Sequence, residues 1–83
     1  MLVFDTVKKH IDTLDRMGFL DMGAPRNEYD SESRMIAERI TKQSTPEEVA
    51  AIMAEVFSAQ FNQSESKDTY AACAKAVCDE LFG

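Results

Sequence analysis

Apolar residues recur along the chain at the three- and four-residue spacing of an α-helix, in four separate segments. No segment alternates convincingly with the period of two that is typical of a β-strand. The pattern predicts helices at about 2–17, 30–43 and 45–61, and from about residue 67 onward. The apolar faces of these helices consist of Val3, Phe4, Val7, Ile11, Leu14, Met35, Ile36, Ala37, Ile40, Val49, Ile52, Met53, Val56, Phe57, Phe61, Tyr70, Cys73, Ala74, Val77 and Leu81. We therefore expect an all-α fold, a small bundle of four amphipathic helices.

Capping residues indicate where these helices begin and end. Gly18 is expected to end the first helix, because glycine adopts the left-handed C′ conformation without strain. Asp30 is expected to cap the second helix, and Ser66 the last. The clearest start is Thr45-Pro46-Glu47-Glu48, where threonine caps, proline takes the first helical position and the second glutamate completes a capping box.

The stretch between the first two helices, residues 18–29, is expected to form a corner containing glycine and proline. Gly23 permits unusual backbone angles and Pro25 fixes φ, so together they favour a turn. One interpretation is structural, with the Tyr29 ring packed beside the second helix. The other is a recognition patch for a partner protein, because loops often carry binding residues and tyrosine is a frequent interface anchor. The patch would consist of Asp15, Asp21, Met22, Glu28 and Tyr29.

Size and charge limit the possible functions. Eighty-three residues form one domain, and no apolar run approaches the about 20 residues that a membrane-spanning helix needs. A cytoplasmic location is the expectation. The net charge is −6, and residues 44–83 contribute most of it, with seven acidic and two basic side chains. This balance disfavours binding to nucleic acid or to an anionic membrane through a basic surface.

The residues that usually carry chemistry are sparse, so the sequence predicts no enzyme, cofactor or metal site. The single histidine, His10, cannot serve a catalytic triad and a metal site together, and neither cysteine has zinc-ligand spacing with it. The three glycines are isolated, so no phosphate-binding loop is present. Cys73 and Cys78 share one predicted helix, about 8–9 Å apart, which is too far for a disulfide.

The corner and the helix after it resemble a known family. Met22-Gly23-Ala24-Pro25, then Glu28-Tyr29-Asp30, then an amphipathic helix are similar to the YugE-like family, small bacterial proteins classed as a domain of unknown function. Val56-Phe57 followed by Phe61 also fits, and the resemblance covers roughly residues 7 to 80. The family usually carries an aromatic-Asp-Pro triplet before the linker, where this chain has Leu14-Asp15-Arg16. The resemblance implies a small helical fold and no activity. The missing aromatic residue and proline of that triplet, by contrast, suggest a first helix about one turn longer.

Three functional hypotheses remain open. The first is a non-catalytic protein-binding or accessory module. The second is an acidic immunity or inhibitor protein that neutralises a basic, nucleic-acid-acting partner. Its contacts would come from an acidic face consisting of Glu47, Glu48, Glu55, Asp68, Asp79 and Glu80. The third is a homodimer, because the aromatic residues and methionines can exceed what one small core buries.

Overall fold

A computed structural model describes residues 2–15, 18, 20–24, 27–62 and 64–83, and all regular secondary structure in these ranges is helical. The helices are α1 (Leu2–Leu14), α2 (Asp30–Arg39), α3 (Pro46–Phe61), a short 3₁₀ helix (Lys67–Tyr70) and α4 (Ala71–Phe82). The predicted all-α bundle of four helices is confirmed. None of the described helices is both long enough and apolar enough to cross a membrane.

The four helices pack in a closed ring, in which α1 contacts α2 and α4, and α3 contacts the same two helices. Helices α1 and α2 run in opposite directions: Lys8 Nζ bonds to Asp30 at the start of α2, and the Arg34 guanidinium, further along α2, lies 4.9 Å from the Phe4 ring centroid near the start of α1. The core at the centre of the ring comes largely from the predicted apolar faces, because burying those faces is the main favourable term in folding. Its largest fully buried apolar side chains are Tyr29, Tyr70, Phe57, Ile11, Ile36, Met53, Val7, Val49 and Val77.

Helix α1 ends earlier than the sequence predicted. Its last residue is Leu14, because Asp15 adopts a left-handed conformation with φ of 46°. Residues 16 and 17, which were expected to extend the helix, lie outside the described residues. Gly18 is left-handed as well, with φ of 73°, but it belongs to the following turn. The longer first helix suggested by the missing proline of the family's triplet is therefore wrong.

Helix α2 also differs from its prediction at both ends. Asp30 is its first helical residue, and Tyr29 occupies the N-cap position without a capping side-chain bond. The Asp30 carboxylate instead accepts a hydrogen bond from Lys8 Nζ at 2.7 Å. At the other end the helix stops at Arg39, because Thr41 and Ser44 bond to nearby backbone and favour a turn.

The starts of the other two helices confirm the predicted caps. Thr45 Oγ1 accepts from the Glu48 backbone N–H at 3.1 Å, and the Glu48 carboxylate accepts from the Thr45 N–H at 2.9 Å. Ser66 Oγ accepts from the Asp68 N–H at 3.2 Å. The Ser66 cap opens the 3₁₀ helix, and α4 continues from it.

Candidate functional site

The corner is organised by the carboxylate of Asp15, at the end of α1. Asp15 Oδ1 accepts hydrogen bonds from the Leu20 N–H at 3.1 Å and from the Tyr29 hydroxyl at 2.6 Å. Asp15 Oδ2 accepts from the Asp21 N–H at 2.9 Å. One side chain thereby connects the end of α1, the following turn and the residue that precedes α2. Hydrogen bonds to a charged acceptor are among the stronger ones in proteins, so this arrangement fixes the turn.

The turn held by Asp15 comprises Gly18 and residues 20–23, and we call it the presenting turn. The Met22 N–H donates to the Gly18 carbonyl at 3.1 Å, and the Gly23 N–H donates to the Leu20 carbonyl at 3.0 Å. Gly23 has φ of 96°, which side-chain-bearing residues rarely adopt. The turn exposes Asp21, and it leaves 74% of Met22 accessible.

A shallow depression of about 500 Å³ lies between α1 and the presenting turn, and we call it the corner depression. Four charged residues line it, Asp12, Asp15, Asp21 and Lys9, and the Lys9 ammonium group bonds to Glu80 of α4. The remaining lining residues are Thr13, Leu20 and Ala24. Asp12 Oδ2 accepts from Lys8 Nζ at 2.8 Å, whereas its Oδ1 is buried without a hydrogen-bond partner in the described part of the chain. The described lining is therefore predominantly acidic.

The structure brings together three of the five residues of the predicted recognition patch: Asp15 and Asp21 line the corner depression, and Met22 follows Asp21 on the presenting turn. Asp15 lies between the turn and the core, and Asp21, Met22 and Glu28 are exposed. Tyr29 is fully buried and its ring centroid lies 6.0 Å from that of Phe57. The expectation that Tyr29 anchors a partner at the surface is therefore wrong, and its packing role is confirmed.

The six carboxylates of the predicted acidic face are exposed, but they do not form one surface. Glu47 and Asp68 line a groove between α3 and the 3₁₀ helix, whereas Glu48 and Glu55 line a different groove beside the end of α2. Glu80 lies elsewhere, where its carboxylate accepts a hydrogen bond from Lys9 of α1. The acidic side chains of residues 44–83 are thus distributed around the ring of helices.

Most of these carboxylates are also paired with cations. Ion pairs join Glu47 to Lys67 at 2.8 Å, Glu55 to Arg39 at 2.8 Å, Asp79 to Lys75 at 2.9 Å and Glu80 to Lys9 at 2.7 Å. Hydrogen bonds from Lys67 hold the pKa of Glu47 below its ordinary value, and those from Lys9 and His10 do the same for the pKa of Glu80. This pairing reduces the negative potential that a basic partner would meet.

The histidine contacts a glutamate of α4, and both cysteines are free thiols. His10 Nε2 lies 3.1 Å from Glu80 Oε1, in a contact between α1 and α4. Burial raises the pKa of the Cys73 thiol to about 11, and burial likewise raises the pKa of Cys78. Among the described residues no group of three or more histidine, cysteine, aspartate or glutamate side chains could hold a metal ion.

Sequence reasoning missed two residues that line the corner depression, Lys9 and Asp12. Both lie on the polar side of α1, and a polar helix face is usually only solvated. The sequence does contain one indication of their proximity. Asp12 and Asp15 are three residues apart near the end of the predicted first helix, a spacing that places two side chains on the same helix face.

No protein-family model, curated protein or solved structure matches the chain. The resemblance to the YugE-like family stays a hypothesis.

Proposed function

We propose that the chain is a non-catalytic protein-binding or accessory module of the cytoplasm, and that it binds its partner at the presenting turn and the corner depression. The observation that carries this proposal is Met22, which is 74% exposed on a turn whose backbone is fixed by hydrogen bonds. Two free cysteines suit a reducing compartment.

The presenting turn is already ordered before a partner arrives, which favours binding. Ordering a loop during association costs free energy, so a turn fixed in advance loses less on binding. Methionine suits a contact surface, because its unbranched, polarisable side chain adapts to different apolar partners. A single exposed apolar residue is common on protein surfaces. An exposed methionine on a fixed backbone beside an acidic depression is a more specific indication of a binding site than an exposed apolar residue alone.

The chemistry of the site suggests the partner segment. Met22 offers an apolar contact, and Asp21 next to it lines the corner depression with Asp12 and Asp15. A segment with an apolar residue beside a lysine or arginine would complement both features. Burial raises the pKa of the Cys73 thiol to about 11, so this thiol is protonated and weakly nucleophilic at neutral pH.

The test is capture of binding proteins from a lysate of the source cells, with elution in steps of rising salt. Wild type is compared with Met22→Ala, and Phe82→Ala is the matched control because Phe82 is the other large apolar residue described as exposed, at 43%. We expect a partner that is retained by wild type and by the control and is lost with Met22→Ala. A partner that all three baits retain equally would contradict the proposal.

The same experiment distinguishes binding at Met22 from the neutraliser hypothesis, in which the acidic face binds a basic protein. The exposure of all six carboxylates of the acidic face supports that hypothesis. A basic protein held by separated charges would elute at moderate salt, because mobile ions screen exposed charges. It would also be lost from Glu48→Gln or Glu55→Gln baits and kept by Met22→Ala. A homodimer would instead appear as untagged copies of the chain in the eluate.

A further inference from the structure

We propose that the hydrogen bond between Tyr29 and Asp15 controls the presenting turn, by setting the fraction of molecules in which Asp21 and Met22 are held in one conformation. This inference rests on the proposed function, because it concerns the regulation of the same site. It makes Asp15 and Tyr29 positioning residues that act through the backbone of the turn and need not touch the partner.

Tyr29 holds Asp15 from the side of the core. The Tyr29 ring is fully buried and packs against Phe57, so its hydroxyl has little freedom. That hydroxyl donates to Asp15 Oδ1 at 2.6 Å, a short bond to a charged acceptor. The position of the carboxylate is therefore determined by packing inside the bundle.

Asp15 in turn holds the backbone of the presenting turn. Its two carboxylate oxygens accept the consecutive backbone N–H groups of Leu20 and Asp21, at 3.1 and 2.9 Å. Met22 follows directly, and its own N–H is bonded within the turn. One path from the core to the exposed methionine therefore runs through this carboxylate.

The presenting turn can open without unfolding of the helix bundle. Leu20 packs half-buried against the core, whereas residues 21–23 are exposed, so this described part of the turn after Leu20 buries little apolar surface. Segments of this kind open locally at a smaller free-energy cost than global unfolding. Asp15 is also left-handed, with φ of 46°, a conformation that is uncommon for residues other than glycine. Weakening its hydrogen bonds would favour release of the turn.

The chain offers a matched control in its second tyrosine. Tyr70 is also fully buried, also packs against Phe57, with centroids 5.5 Å apart, and also precedes a helix in the N-cap position. Its hydroxyl donates to the Glu65 carboxylate at 2.9 Å, in the loop before α4. Removing either hydroxyl thus deletes a comparable bond, but only one of the two bonds leads to the presenting turn.

The experiment measures amide hydrogen exchange by NMR in wild type, Tyr29→Phe and Tyr70→Phe, and compares the amides of Leu20 and Asp21 with core amides of α3. We expect Tyr29→Phe to accelerate exchange at Leu20 and Asp21 by about 10- to 100-fold relative to α3, the range that follows from losing a hydrogen bond to a charged group. Tyr70→Phe should leave that ratio unchanged. An unchanged ratio in Tyr29→Phe, or an equal change in both variants, would overturn the inference.

Asp15→Asn provides a second variant in case Tyr29→Phe does not fold. Asparagine tolerates a left-handed backbone and keeps one acceptor oxygen, so the change removes the charge and one of the two acceptors with little added strain. We expect faster exchange at Leu20 and Asp21 here as well, and wild-type exchange would contradict the inference. Because exchange needs no partner, the result stands whether or not capture succeeds. If a partner is found, Tyr29→Phe should weaken its binding through the reduced population of the ordered turn.

Discussion

At the scale of single residues, Phe57 holds the aromatic part of the core together. It is fully buried, and the ring centroids of Tyr29, Phe61 and Tyr70 lie 6.0, 5.6 and 5.5 Å from its own. Both tyrosines that bond to loop carboxylates pack against it. The position of Phe57 therefore influences the two loops that precede α2 and α4.

We expect Phe57→Leu to lower the free energy of unfolding by about 1–3 kcal/mol, because the change removes ring contacts and leaves unfilled volume. The measurement is urea denaturation followed by circular dichroism. Phe82→Leu is the control, since Phe82 is 43% exposed, and we expect its effect to stay within about 0.5 kcal/mol. Equal losses in the two variants would contradict the assignment of Phe57 to the core.

The sequence predicts apolar core residues well, because a 3.6-residue period marks a buried helix face directly. The apolar pattern does not indicate which polar residues are buried. Glu32 and Ser33 are buried on α2, at 6% and 0% exposure. They lie four and three residues before Ile36 and so share its face of the helix, but their side chains are polar and the apolar pattern does not include them. Nor could the sequence show that Asp15 and Tyr29 meet, because that contact depends on the path of the corner in three dimensions.

At the scale of helices and turns, side-chain caps set the boundaries more firmly than apolar patterns do. The capping box of α3 was readable because both of its residues are local, three positions apart. The end of α1 could not be predicted from local sequence, because it depends on the left-handed conformation of Asp15. Hydrogen bonds to residues five and fourteen positions later support that conformation. Local signals therefore predict the caps at Thr45 and Ser66, whereas the cap expected at Asp30 is not formed, and long-range contacts decide where α1 ends.

Thr45→Ala should lower the free energy of unfolding by about 1 kcal/mol, because the backbone N–H of Glu48 loses its acceptor. Thr45→Ser retains a hydroxyl at the same place and should recover most of that loss. Urea denaturation of the two variants beside wild type checks the prediction. If alanine and serine were equivalent at position 45, the capping bond would contribute nothing to stability.

At the scale of the whole molecule, Glu80 closes the ring of helices between α4 and α1. Its carboxylate accepts from Lys9 Nζ at 2.7 and 2.8 Å and lies 3.1 Å from His10 Nε2. Hydrogen bonds from Lys9, then from His10, hold the pKa of Glu80 below its ordinary value of 4.5. A carboxyl group whose pKa is lower in the folded state contributes stability above its unfolded pKa and loses that contribution as the pH falls through the folded pKa.

The expected result is that Glu80→Gln is less stable than wild type at about pH 7, and that the difference shrinks as the pH falls below about 4. Urea denaturation at a series of pH values measures this convergence. Glu38→Gln removes an exposed carboxylate from α2 and serves as the control, with little expected effect across the series. A constant difference between wild type and Glu80→Gln at all pH values would show that ionisation of Glu80 does not stabilise the ring.

The central claim is that a fixed turn presents Met22 to a protein partner, and site-specific photo-crosslinking in the source cells tests it most directly. The photoreactive residue p-benzoylphenylalanine is placed at position 22, and at position 82 as the control, because both native side chains are exposed. We predict a light-dependent adduct with one discrete protein from position 22 and no such adduct from position 82. No adduct from position 22 in a folded chain, or the same adducts from both positions, would contradict the claim.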